Sequence, residues 1–514
     1  MILESYISGA WQAGSGDGAA LIDPTTGAEL ARASTAGLDM AGAISFARDT
    51  GGAALGALTY GERAALLAAI AGRLKESYGA YKATATANSG NTGADADMDV
   101  GGAIFTLKYY ARLGSALGDR RFLSDGDIEG MSRDGSFHAR HILVPRQGVA
   151  IHINAFNFPA WGLWEKAAVS LLSGVPTIAK PATATALLAH DMVRDIIAAD
   201  ILPVGALSLV CGGVGDLLDH VTGQDVIAFT GSAATAGHLR VHPAIVGSGA
   251  HLTVEADSVN ASVLGPDAGP ESAEFALFVK EVSREMTFKA GQKCTAIRRI
   301  MVPRAHYPAI EAALAARLAK TTVGDPRNEA VRMGPLVNRH QQKDVLAAID
   351  DLASEARVVT GGSPPALVDA DNRAGCFVAP TLLACDAPGD ARKIHDIEAF
   401  GPVGTLMPYD DEDGAVALVA AGKGCLACSV FTADSGFASR MALRLAPWNG
   451  RLLFVAEDVA ASQTGHGNVM PGCVHGGPGR AGGGEELGGL RGLSLYHQRT
   501  AIQGNTGLME ALGD

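Results

Sequence analysis

Apolar and polar positions along this chain change their spacing several times. In residues 1–30 they come in short runs, Tyr6-Ile7-Ser8-Gly9-Ala10-Trp11 and then Ile22-Asp23-Pro24-Thr25-Thr26-Gly27, which predict a β-hairpin region. From Leu38 to about Leu117 the sequence is alanine-rich, with apolar residues at helical spacing, as at Leu66, Leu67, Ile70 and Leu74. After Gly148 strand and helix patterns alternate. Strand runs at 148–154, 175–180, 207–211 and 225–229 are separated by helical runs at 161–172, 183–198 and 232–241. A second alternating half extends from about Asn260 to Val455 and includes a long helix over 271–288. Such alternation implies mainly parallel sheets with right-handed crossovers. The fold class is therefore α/β, with two parallel-sheet domains. Residues 131–145 and 492–505 alternate in the manner of a β ribbon, and the glycine-rich run 465–489 reads as a loop.

Length and composition narrow the function. At 514 residues the chain can build two or three domains. Its net charge of −13 argues against nucleic-acid or anionic-membrane partners, leaving room only for a local basic pocket. Met1-Ile2-Leu3 is followed at once by Glu4, unlike a secretory leader, and no apolar run is long enough to span a bilayer. The 7 cysteines are odd in number and scattered, as in reduced cytoplasmic proteins. Cys425-Leu426-Ala427-Cys428 offers only two of the four ligands of a structural zinc and lies in an apolar, strand-like run, so it reads as packing. No metal site is expected.

Six segments carry candidate chemistry. Asn157, in Asn154-Ala155-Phe156-Asn157-Phe158-Pro159, can donate to a developing oxyanion, with the Cys294 N–H as the second donor. Lys180, in Ile178-Ala179-Lys180-Pro181-Ala182-Thr183, ends a strand beside a helix start and suits an anionic ribose-phosphate. In Phe229-Thr230-Gly231-Ser232, Gly231 permits close approach, and Ser232 with the N–H groups after it can meet a pyrophosphate, although this is not G-x-G-x-x-G. Glu255, after His251-Leu252-Thr253-Val254, is expected near the end of a buried strand, where desolvation raises a carboxyl toward general-base use. Cys294, in Gly291-Gln292-Lys293-Cys294, has an adjacent lysine to favour its thiolate. Glu398, in Glu398-Ala399-Phe400-Gly401-Pro402, can accept from ribose hydroxyls. Taken singly, each segment also has a plain reading as a turn, a helix start or a packed side chain.

Together and in this order, N-F-P, K-P-A, F-T-G-S, the lone Glu255, G-Q-x-C and E-x-F-G-P resemble the aldehyde dehydrogenase superfamily over essentially the whole chain. The resemblance implies two Rossmann-like domains and a small β oligomerisation ribbon. It divides the chain into a cofactor domain (1–130 and 146–258), a catalytic domain (259–470) and a ribbon (131–145 and 490–514). It implies that Cys294 attacks an aldehyde, that Asn157 and the Cys294 N–H hold the oxyanion, and that Glu255 activates the water that hydrolyses the thioester. Lys180, Gly231, Ser232, Glu398 and Phe400 would hold a nicotinamide cofactor. Many NAD-using relatives carry glutamate where this chain has Thr183; losing that carboxylate removes its repulsion of a 2′-phosphate, so NADP is expected, with NAD as the alternative.

The run Glu255-Ala256-Asp257-Ser258-Val259 departs from the family's usual Glu-Leu-Gly-Gly-Lys. With the glycine-rich ending, it is similar to a branch of aerobic aromatic degradation that acts on ring-opened, CoA-linked semialdehydes. Arg480 is one cation of that ending. A CoA-linked aldehyde, a homodimer and a cytoplasmic location are the corresponding expectations. A CoA-acylating enzyme and a catalytically silent binding protein are the rival readings.

Overall fold

The computed structural model describes residues 2–512, so residue 1 of the first expected domain and residues 513–514 of the expected ribbon lie outside it. Five strands, His251–Glu255, Val226–Thr230, Ala150–Ile153, Thr177–Lys180 and Leu207–Leu209, run parallel in that spatial order. The hairpin Ser5–Ile7 and Ala10–Gln12 extends this sheet antiparallel beyond Leu207–Leu209. Both faces are covered, which is why the strands read as nearly unbroken apolar runs. On one face, the helices Tyr60–Glu76, Gly93–Leu117, Pro159–Leu172 and Ala186–Ala198 pack through Tyr60, Leu107, Trp164 and Met192. On the other, Met40 and Ile44 of Met40–Phe46 and Ile245 of Pro243–Ser248 cover Ile151, Ile178 and Ile227.

A second sheet has the order Arg357–Thr360, Thr381–Ala384, Val403–Tyr409, Arg299–Pro303, Ala261–Leu264, Cys425–Phe431 and Asn449–Val455. All its neighbours are parallel except the first pair. The fold is thus α/β with two parallel-sheet layers, as the alternating pattern implied. The Cys425-x-x-Cys428 pair is buried within a strand of this sheet.

The first sheet's strand order reverses between Ala150–Ile153 and Val226–Thr230. Open α/β sheets bind ligands in the crevice beyond the carboxyl ends of strands at such a point. Here Asn154, Asn157, Gly231, Ser232 and Glu255 follow or end those strands. The second sheet faces them with its amino ends, since Ser258, Cys294 and Glu398 precede Ala261–Leu264, Arg299–Pro303 and Val403–Tyr409.

The ribbon is shorter than its alternation suggested. His138–Pro145 pairs antiparallel with His497–Gly504, and Leu123–Ser124 and Glu129–Gly130 add along the first of these strands. Before it, Ser132 and Asp134 side chains accept the Ser136 N–H at 3.0 and 3.2 Å and close a turn. Before its partner, Leu490–Leu493 and Ser494–Tyr496 are helical. The segment read as a glycine-rich loop contains a strand pair, Val474–Gly476 with Glu485–Leu487. Similarly, the helix expected over 183–198 opens as a 3-10 turn, Thr183–Thr185. No helix among the described residues is long and apolar enough to cross a membrane.

Candidate active site

The helix Ala273–Thr287 aims the chain at Cys294. Ser272 caps it by accepting the Phe275 N–H at 3.1 Å, and Phe275, Phe278, Val279, Val282 and Met286 form its buried stripe. Beyond it the backbone turns left-handed at three successive residues, Lys289 (φ 53°), Ala290 (φ 51°) and Gly291 (φ 68°). For Lys289 and Ala290 that conformation costs about 1–2 kcal/mol each, so the turn persists only where its surroundings hold it. Lys289 donates from its N–H to Asp95 Oδ1 (2.7 Å) and from Nζ to Asn91 Oδ1 (2.6 Å). Arg298, fully buried, donates to the carbonyls of Gly291 and Gly401, both at 2.7 Å. Asn260 Nδ2 donates to the Cys294 and Ala296 carbonyls at 2.7 and 3.1 Å. The sulfur is therefore carried by a rigid loop.

Glu255 reaches the same place from the other sheet. It ends its strand, 4% exposed. The glycine-rich segment is fastened to that strand: the Gly484 N–H donates to Val254 O at 3.1 Å, and the Ala256 N–H to Ala481 O at 2.9 Å. A Cβ on Gly482 would lie 2.2 Å from the Val254 oxygen, so only glycine allows this approach. The contact brings His475 Nε2 to 3.0 Å from Glu255 Oε2. One ligand atom from each of Glu255, Cys294 and His475 falls within 4.8 Å of the others, a spacing that a metal ion could also use. Glu255 Oε1 is buried without a hydrogen-bond partner by geometry among the described residues.

Two electrostatic expectations fail here. Burial pushes the Glu255 carboxyl upward, as expected, but His475, by charge and hydrogen bond, outweighs it together with Lys166 and holds Glu255 below the ordinary carboxylate value. Lys293 does not favour a thiolate at Cys294. It is buried and donates to both oxygens of Glu285 at 2.8 Å, so its charge is already matched. Burial, then the negative charge of Glu255, with Glu165 and Glu398 behind it, keeps the Cys294 thiol well above its usual range.

Cys294, Glu255, Asn157, Asn154 and Thr230 line two cavities at once. The smaller, about 40 Å³, adds Phe158, Trp161, Glu165, Lys166 and His475. The larger, about 490 Å³, adds Gly231, Ser232, Asp257, Glu398, Phe400 and Arg480. Glu398 Oε2 accepts the Ser258 N–H at 3.1 Å, while burial raises its carboxyl to about 7 against the pull of Arg298. Phe400 stacks edge-on with Phe156 at 5.6 Å. The Ser232 hydroxyl caps its helix by accepting the Thr235 N–H at 3.2 Å, and Asp257 Oδ1 already accepts the Ala233 N–H at 2.9 Å. A pyrophosphate at this helix start would have to displace Asp257. Lys180 and Thr183 stand outside the lining of the larger cavity, next to Ala182, which belongs to it. Thr183 spends its hydroxyl proton on the Gly212 carbonyl at 2.9 Å.

A model of the aldehyde dehydrogenase family matches residues 11–486. The chain belongs to this family. It is 53% identical over 479 residues, 93% of each protein, to 3,4-dehydroadipyl-CoA semialdehyde dehydrogenase of Aromatoleum evansii. It is 46% identical to Protein MaoC of Klebsiella aerogenes over 183 residues, 35% of this chain and 53% of that one. The crystal structure of betaine aldehyde dehydrogenase from Staphylococcus aureus in complex with NAD+ superposes with a TM-score of 0.85 at 24% identity, covering 98% of this chain and 95% of the other. That likeness speaks for the fold alone.

Within this aldehyde dehydrogenase, several cavity residues escaped the sequence reading. Lys166 is buried with Nζ 2.9 Å from Glu486 and 3.5 Å from Glu165. The one available signal was a Glu-Lys pair inside an otherwise apolar helix. His475 and Glu486 carried none, because glycine-rich sequence hides which residues its backbone brings together, and Asp257 was visible only as a departure from the family's usual glycine-containing run.

Two outcomes follow from this geometry. Gly291→Ala would place a Cβ 2.1 Å from the Gly401 oxygen at a left-handed φ, and should cost about 3 kcal/mol or more, read by urea denaturation. Because Cys294 stays protonated at neutral pH, iodoacetamide should label it slowly near pH 7, and the rate should climb about tenfold per pH unit toward pH 9. Peptide mass spectrometry would follow this, with the exposed Cys473 as the internal comparison. Labelling that is flat between about pH 6 and pH 9 would contradict the assignment.

Proposed function

We propose that this protein oxidises a CoA-linked semialdehyde, of the 3,4-dehydroadipyl-CoA semialdehyde kind, to the carboxylic acid through a thioester on Cys294. The observation that carries the reading is the convergence of half-buried Cys294 and buried Glu255 where two cavities meet. The similarity to the Aromatoleum evansii enzyme supports the choice of substrate. Within this reading the protein works in the cytoplasm, in the breakdown of aromatic compounds.

The larger cavity suits a nicotinamide dinucleotide. Thr230 Oγ1 and Glu398 Oε1 are buried there without hydrogen-bond partners among the described residues, and ribose hydroxyls would satisfy them. When bound, the cofactor accepts hydride from the substrate carbon. Gly231 and Ser232 would face its phosphates, Glu398 and Phe400 its nicotinamide end, and Lys180 its adenosine ribose. Thr183, in place of a carboxylate, leaves a 2′-phosphate unopposed, which favours NADP over NAD.

The chain's own residues do the rest. Cys294 gives its proton to Glu255 as the sulfur bonds the aldehyde carbon. Asn157 and the Cys294 N–H, which has no partner among the described residues, hold the oxygen as it becomes negative. Once the thioester has formed and Glu255 has released the thiol's proton to solvent, Glu255 takes a proton from water, the water oxygen bonds the carbonyl carbon, the carbon–sulfur bond breaks, and the acid leaves as that proton restores the thiol. A base retained beside the sulfur favours hydrolysis over transfer to free CoA. The ribbon strand His497–Gly504 lies at the edge of its sheet, with one side unpaired among the described residues, which favours a homodimer; a mass measurement in solution would check this.

The deciding experiment compares initial rates on a six-carbon CoA-linked semialdehyde and on free aliphatic aldehydes, with NADP and with NAD. Preference for the CoA ester and for NADP is expected; better turnover of simple aldehydes would remove the substrate assignment, and a clear preference for NAD the cofactor one. Thr183→Glu should lower kcat/KM for NADP by about tenfold while sparing NAD. Glu255→Gln should slow the steady state by about a hundredfold and let acylated Cys294 accumulate, visible by intact mass.

A further inference from the structure

We propose that His475 is the positioning residue of the hydrolytic half-reaction: it holds Oε2 of Glu255 so that Oε1 faces the thioester on Cys294 and takes the proton of the attacking water. The inference rests on the hydrolytic reading above. A carboxylate at a strand end can rotate, and only one of its oxygens need face the reacting carbon. Here His475 Nε2 sits 3.0 Å from Oε2, both side chains are buried, and Oε1 has no hydrogen-bond partner by geometry among the described residues. The placement is built into the backbone. His475 pairs in register with Glu486, and the strand pair is pinned to Val254 and Ala256 on either side of Glu255.

Chemically, the water oxygen bonds the thioester carbon, the carbon–sulfur bond breaks, and the sulfur leaves with the electron pair. The water proton goes to Oε1 and from there to the sulfur, so the cycle closes with an acid and a thiol. His475 stays on Oε2 throughout.

The groups facing His475 are Glu255, Cys294, Glu165 and Lys166 on the helix Pro159–Leu172, Arg451 on the strand Asn449–Val455, and Glu486 on its partner strand. Burial opposes a charged imidazole, and Arg451 adds to it. Glu255, by charge and hydrogen bond, and Glu165 prevail, and hold His475 protonated above the ordinary histidine range. While His475 is charged, Glu255 is a weak base. Hydrolysis therefore quickens as pH rises through the titration of the Glu255–His475 pair.

The test isolates that step. p-Nitrophenyl acetate, which needs no cofactor, acetylates Cys294 of the full-length protein, and decay of the adduct is followed by intact mass from about pH 6 to pH 9. Expected in the wild type is a decay rate that rises across this range. His475→Leu should slow the decay at pH 8 by about tenfold or more. His475→Asn keeps an N–H donor without a titrating proton; it should decay faster than His475→Leu and lose the rise with pH. A wild-type rate that is flat across the range overturns the proposal whether or not the variants fold. So does decay in folded His475→Leu within about twofold of wild type, or an unchanged pH profile in His475→Asn. If instead the wild-type adduct does not decay at all, the hydrolytic reading fails first.

Discussion

The constraint on which this protein's chemistry depends is the left-handed turn Lys289–Gly291. Cys294 stands where the carboxyl ends of one sheet meet the amino ends of another, and the chain reaches it from the helix Ala273–Thr287. Three residues of positive φ redirect it. Two of them are not glycine, so the turn is held rather than preferred. Arg298 supplies much of the hold, bridging the Gly291 and Gly401 carbonyls while its guanidinium lies over Phe400 at 5.5 Å. The same side chain thus ties the sulfur loop to the segment bearing Glu398. Asn91 and Asp95, from the opposite layer, complete the clamp.

Around that loop the protein buries more charge than a stability argument would favour. Removing water from an ion costs several kcal/mol, and a buried pair recovers this only with good geometry. The structure answers with matched pairs: Lys293 with Glu285, Lys166 with Glu486, and His475 with Glu255. The first neutralises the lysine that adjoins Cys294 in sequence, and burial with nearby carboxylates keeps the Cys294 thiol above its usual range. The last holds the Glu255 carboxyl below its ordinary value, with one oxygen beside the imidazole. Burial alone would have predicted a weakly acidic Glu255; pairing reversed the sign. Between these groups, Asn157 lines both cavities and the Cys294 N–H has no partner among the described residues.

Much of this was legible in the sequence, because its decisive signals are local. Alternation of strand and helix patterns follows from the periods 2 and 3.6, and it determined a parallel α/β fold with Asn157, Ser232 and Glu255 at strand ends. Spaced motifs singled out Cys294 and Glu398, which the structure brings to one cavity. Where local pattern misled, the cause was also local: residues 131–137 alternate like a strand but close a side-chain turn, and residues 474–476 and 485–487 are glycine-flanked like a loop yet pair as strands. Tertiary structure alone decided which charges meet. Lys293 adjoins Cys294 in sequence but answers to Glu285. Thr183 follows Lys180 closely but turns its hydroxyl to Gly212, and His475 reaches Glu255 only because glycines let two backbones touch. The physical reason is that periodicity encodes which face a residue presents, whereas a proton's affinity for a side chain is set by neighbours within a few ångströms, which folding alone assembles.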